Sequence, residues 1–138
     1  MDTTSVASTG FLALAGFHVV WATGSSWPLS DEGELLDEVV GRPGGTAPSP
    51  AACLAVAGAL TTAAALVSGR PRRRPWLSRI GSAGVVAAFA TRGAFGLAGR
   101  TDLLVKGSSS ERFRARDRRL YGPICLTLAA LSLPAIRR

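Results

Sequence analysis

Hydrophobic positions along this chain fall into four long runs, residues 5–27, 50–69, 76–99 and 120–136, separated by three polar connections. The first three approach or exceed the roughly 20 residues needed to cross a ~30 Å hydrocarbon core, and the fourth meets the lower limit of about 17. A stretch such as AACLAVAGALTTAAALV lacks the regularly spaced polar residues of a half-solvated helix or strand. Lipid offers the backbone no hydrogen-bond partner, so each run is expected to be a helix. The pattern therefore predicts an all-α integral membrane four-helix bundle of up-down topology, a single domain over residues 1–138. The opening MDTTSVAST has an acid and no cation, the wrong sign for a secretory leader, so the first run is expected to be retained as a span.

The first connection, SDEGELLDEVVGRPGGTAPS, is acidic and then rich in Gly and Pro; Glu34 to Val40 is expected to form a short surface helix. The second, RPRRRP, is compact and basic. The third ends in RFRARDRRLY, an expected amphipathic lead-in with Phe113 and Leu120 dipping into lipid while Arg112, Arg116 and Arg119 stay at head-group level.

Composition sharpens this picture. The 138 residues are 47% hydrophobic but only 7% aromatic, with 16 Lys and Arg against 9 Asp and Glu, a net charge of +7. Of the sixteen cations only Arg92 lies deep inside an apolar run, Arg79 standing in the first turn of the third, and the others flank the runs, which argues against a nucleic-acid surface and for a bilayer with anionic head groups at Arg70–Arg74. Heavy use of Ala, Gly and Arg is the bias of a GC-rich bacterial genome, and the expected location is the bacterial cytoplasmic (inner) membrane. The cations divide seven to eight between the two ends of the bundle, so the positive-inside rule is nearly tied. The density of the Arg70–Arg74 cluster favours both termini in the cytoplasm.

Small residues mark contact faces in lipid. Ala51, Ala55, Ala59 and Ala63 form one such stripe, and Gly84, Ala88, Arg92 and Gly96 another. His18, the sole histidine, shares its face with Ala15, Trp21 and Ala22. His18 lies nine residues before Trp27 and Arg92 eight before Arg100, which places both about 12–14 Å from the same boundary. Tyr121, Cys125 and Cys53 begin their helices from that boundary, with Asp117 and Trp27 at its mouth. An imidazole and a guanidinium at that depth are functional candidates by default. The expectation is a polar cavity in one half of the bundle that takes a small amphipathic or lipid-like molecule, with His18, Trp21, Trp27, Arg92, Asp117 and Tyr121 as ligand-binding candidates. Arg92 would hold an anionic group or be tied structurally to Asp117.

Two further functions stay open: an intramembrane enzyme with His18 as general base, and a structural or accessory subunit or homo-oligomer using the alanine stripe. Cys53 and Cys125 have no metal-binding spacing and are either a thiol pair or separate buried thiols. No metal site is expected. Bis-His haem ligation would need a second chain, leaving His18 opposite Tyr121 or Cys125 as the open haem arrangement.

These residues, in this order, resemble a family of small four-helix bacterial membrane proteins catalogued as domain of unknown function 3995. The first-helix pattern is similar in His18, Trp21, Gly24 and Trp27, the third-helix arginine in Arg92. FRARDRRLYGPICL resembles the family's last signature, with Phe113, Asp117, Tyr121, Pro123 and Cys125 in register. The chain departs from the pattern at Gly122, where the family has Ser, and in RGAFGLAG, where the family has an acid soon after the arginine. The resemblance implies the fold and carries no activity.

Overall fold

The computed structural model describes residues 2–70 and 72–137. All regular structure among the described residues is helical: α1 (Thr3–Ala22), α2 (Glu32–Leu35, continued by a π-turn over Leu36–Val40), α3 (Pro50–Val67), α4 (Pro75–Ala98), α5 (Glu111–Arg116) and α6 (Gly122–Ser132). A π-turn over Asp117–Tyr121 makes α5 and α6 one run, and a 3-10 turn extends it to Ile136. Four helical stretches are long and apolar enough to cross a membrane: Thr3–Ala22, Pro50–Val67, Pro75–Ala98 and Glu111–Ile136.

Local chemistry sets where these helices begin and end. The Asp2 carboxylate accepts from Ser5 N–H at 2.7 Å, and Ser49 Oγ accepts from Ala52 N–H at 3.2 Å, each capping an otherwise orphaned donor. Pro50 and Pro75 occupy first-turn positions, where the missing N–H costs nothing. The first helix stops at Ala22 rather than continuing to Trp27. Thr23 and Gly24 turn back on it, donating to the Val20 and Trp21 carbonyls, and Gly24 takes a left-handed φ of 86°.

Packing closes a ring in which α1 lies between α3 and α6, and α4 between α3 and α6. Consecutive spans are antiparallel neighbours, the up-down arrangement. The core contains Ala7, Phe11, Leu60, Val67 and Leu128, with Phe89 edge-on to Phe11 at 4.9 Å. Hydroxyls in the apolar region bond to carbonyls: Ser8 reaches Ala64 across α1 and α3 at 2.8 Å, and Ser78 reaches Leu66 across the α3–α4 hairpin at 2.7 Å.

The inward faces differ from the expected small-residue stripes. Of the first stripe Ala51, Ala55 and Ala59 are exposed and Ala63 is buried, the buried side of α3 being Cys53, Ala57, Leu60, Ala63, Ala64 and Val67. On α4, Gly84 and Ala88 face outward while Ser78, Ser82, Gly93 and Gly96 are buried. A repeat of four advances about 400° round a helix, so a strict four-residue stripe drifts by ~40° at each step and leaves the contact face.

The two long connections meet at one end of the bundle and form a cap. Ser108 Oγ donates to Val40 O at 2.7 Å, and Ser110 Oγ to Asp37 O at 2.8 Å. Arg116 meets Glu38 at 2.5 Å, Arg112 lies 3.6 Å from Asp37, and Arg42 donates to the Lys106 carbonyl. Leu35, Leu36 and Glu38 are buried, so the expected surface helix is a docked one. Phe113 is buried too, against Gly41 and 6.2 Å from the Tyr121 ring, rather than in lipid. Leu120 is exposed.

Candidate functional site

His18 stands on the last turns of α1, where its Nδ1 lies 2.8 Å from the Leu14 carbonyl. A carbonyl oxygen only accepts, so Nδ1 carries the proton and Nε2 is the ring nitrogen left for a partner. Trp21 packs edge-on against the imidazole at 5.0 Å, and its indole N–H donates to the Trp27 carbonyl at 2.8 Å. Both rings line a groove of about 610 Å³ bounded by the end of α1, the start of α3, α2 and the loop over Thr46–Ser49. Its lining is mostly apolar, with Leu35, Val39, Val40, Ala52 and Val56. Its polar groups are those of His18, Trp21, Cys53 and a rim that includes Ser25, Ser26, Glu32 and Ser49. A mostly apolar concavity of this size with a few convergent polar groups has the form of a small-molecule site.

Arg92 and Asp117 belong to a second cluster, between α4 and the α5–α6 run. Arg92 Nη1 meets Asp117 Oδ1 at 2.9 Å and reaches the Thr101 hydroxyl at 3.3 Å, while that hydroxyl donates to Asp117 Oδ2. The Asp117 side chain is 1% exposed and that of Arg92 29%. Glycines let the backbones approach closely enough for this. A Cβ on Gly96 would lie 2.8 Å from Asp117 Oδ1, and one on Gly122 would lie 2.8 Å from the Asp117 carbonyl and 3.1 Å from that of Gly93. The charge of Arg92 is thus answered inside the protein, by an acid on the following span.

The remaining candidates divide between these places. Tyr121 donates to the Glu38 carbonyl at 3.1 Å and so ties the last span to the cap. Trp27 is 59% exposed and stacks on Phe17 at 5.7 Å, contributing its carbonyl rather than its ring to the Trp21 contact. Cys53 lines the groove, while Cys125 sits on α6, and both are free thiols rather than a disulfide. The half-bundle cavity expected to gather all of these residues is therefore two places: a groove with His18, Trp21 and Cys53, and a packed ion pair with Arg92 and Asp117.

Thr101 and Glu32 were not among the sequence candidates. Thr101 had a readable signal, a hydroxyl immediately beyond the Gly99 that ends a span. Glu32 had one only jointly with the apolar face of ELLDEVV, which builds the groove wall.

Among the described residues no group of three or more His, Cys, Asp or Glu is arranged to hold a metal ion. Residues 11–132 match the family model described as protein of unknown function (DUF3995). The chain belongs to that family. No curated protein and no solved structure matched.

Proposed function

We propose that this is a multi-pass protein of the bacterial cytoplasmic membrane that binds a small amphipathic or lipid-like molecule in the groove between α1, α2 and α3. The observation that carries the reading is the ~610 Å³ concavity at one end of the helix pair, lined mostly by apolar side chains with a few polar groups among them. An amphiphile presents that same mix of apolar and polar surface. The Arg92–Asp117 pair is a structural clasp in this reading, since its charges already satisfy one another.

The opposite end suits a cytoplasmic face. Arg70, Arg72, Arg73 and Arg74 are exposed there beside Trp76, the mix that engages anionic head groups, while Pro71 lies outside the described residues. Both termini then lie in the cytoplasm and the cap outside.

Filling the groove tests the reading. Val56→Trp places an indole in it from an already exposed position on α3. Mass spectrometry of organic extracts of the purified protein should find a small amphiphile in the parent and lose it in the variant, with thermal unfolding unchanged. Identical extracts, or none from either, would count against the groove as a binding site.

A further inference from the structure

We propose that the occupant of this groove is a single-chain amphiphile with a protonated amine head, and that Glu32 and His18 Nε2 receive it. The inference rests on the groove being a binding site and adds the class of molecule. Its basis is the chemistry of the lining. Glu32 is the only charged residue there, and no Lys or Arg lines the groove.

Neighbouring acids are already occupied. Asp31 caps α2 by accepting from Glu34 N–H at 2.9 Å, and Glu34 accepts from Ser30 N–H at 2.9 Å. Asp37 and Glu38 pair with Arg112 and Arg116. Glu32 enters no such bond or ion pair among the described residues, so its exposed carboxylate is held by no protein group. His18 adds a second acceptor, because its Nδ1 proton is committed to Leu14. The rim hydroxyls of Ser25, Ser26 and Ser49 can accept as well as donate. Ser25 and Ser49 each accept from a backbone N–H, at 3.2 Å in both cases.

A lining with one negative charge, no positive one and a free imidazole acceptor favours a cationic head group that donates. It leaves a carboxylate or phosphate facing Glu32 with no cation in the lining, a like-charge contact that works as selection against anionic amphiphiles. This preference opposes the net charge of the whole chain, +7, which would draw in anions non-specifically. Apolar lining residues then take the alkyl chain.

Trp21 lies in the groove wall and reports on it. With Trp27→Phe and Trp76→Phe, it is the sole tryptophan, and the Trp27 backbone carbonyl that it bonds is retained. The protein in nanodiscs of neutral lipid is titrated at neutral pH with dodecylamine, dodecanoic acid and dodecanol while Trp21 emission is followed. Dodecylamine should bind at least tenfold more tightly than dodecanoic acid. Glu32→Gln should bring the two within about threefold and leave dodecanol unchanged. Glu32 is exposed, so the variant is expected to fold, and its thermal unfolding verifies this. Equal or tighter binding of the acid, or an amine preference that survives Glu32→Gln, overturns the head-group assignment while the groove stands. No response to any of the three amphiphiles overturns the groove itself.

Discussion

Asp117 carries a charge that is almost wholly enclosed, whereas its partner Arg92 keeps about a third of its surface open, and that asymmetry decides how each substitution behaves. Removing one member of a buried pair costs roughly 3–5 kcal/mol because the other is left unanswered. Arg92→Ala strands the enclosed carboxylate and should fall in that range. Asp117→Asn strands a guanidinium that still reaches its surroundings and keeps Thr101 as a partner, so its cost should be about half as large. Thermal unfolding in detergent ranks the two, and a larger loss for Asp117→Asn would contradict the clasp as described. Gly96→Ala tests the same place sterically. Its methyl would arrive 2.8 Å from Asp117 Oδ1 and 3.0 Å from Arg92 Nη1, for an overpacking cost of about 1–3 kcal/mol.

One surface acid responds to pH in a definite direction. Bonding from Ser30 holds the Glu34 carboxyl below its ordinary value. A depressed folded-state pKa contributes stability that is present above the unfolded value and disappears as pH falls through the lowered one. Glu34→Gln should therefore flatten the acid limb of a stability profile and leave neutral pH onward nearly parallel to the parent.

At the scale of elements, what the sequence could reveal depended on whether one helix alone contained the signal. Length and apolarity are properties of a single run, so four long apolar helices were readable, but their ends were less so: the first stops at Ala22 rather than Trp27, and the last begins at Glu111 rather than Leu120. Helix faces depend on the partner. Nothing within AACLAVAGAL distinguishes an alanine that touches α1 from one that faces outward, and of the stripe chosen for its small residues Ala51, Ala55 and Ala59 are exposed while Ala63 is buried. The joining of α2 to α5 spans some 70 residues and depends on serine hydroxyls meeting carbonyls, which composition does not encode. The candidate site was half legible: the shared face of His18 and Trp21 is real, but depth alone placed Arg92 beside them when it lies against a different helix.

The outward alanines yield a direct comparison. Ala59→Leu should leave thermal unfolding unchanged, whereas Ala57→Leu, on the buried side of the same turn, should lose about 1–3 kcal/mol. Gly41 probes the cap. It sits at φ 76°, and a Cβ there would meet the Phe113 ring at 2.8 Å, so Gly41→Ala should loosen α2 from α5. Faster amide exchange over residues 35–40, with the spans unaffected, is the expected readout.

For the molecule as a whole, the two ends are unlike. One carries a short arginine-rich turn and the other the interlocked cap. With the arginines in the cytoplasm, Ser109→Cys in a Cys53→Ala, Cys125→Ala background should react with an impermeant maleimide on intact cells, and Ser68→Cys should not. The reverse pattern would turn the protein over in the bilayer.

The cap's wiring also imposes an order of assembly. Residues 32–40 leave the ribosome long before Ser108, Ser110 and Arg116, the groups that hold them. Until α5 is made, the turn over Leu36–Val40 lacks the partner that docks it in the cap. A nascent chain halted after the third span would thus display an undocked segment to proteases and chaperones, so completion of synthesis itself is what secures it.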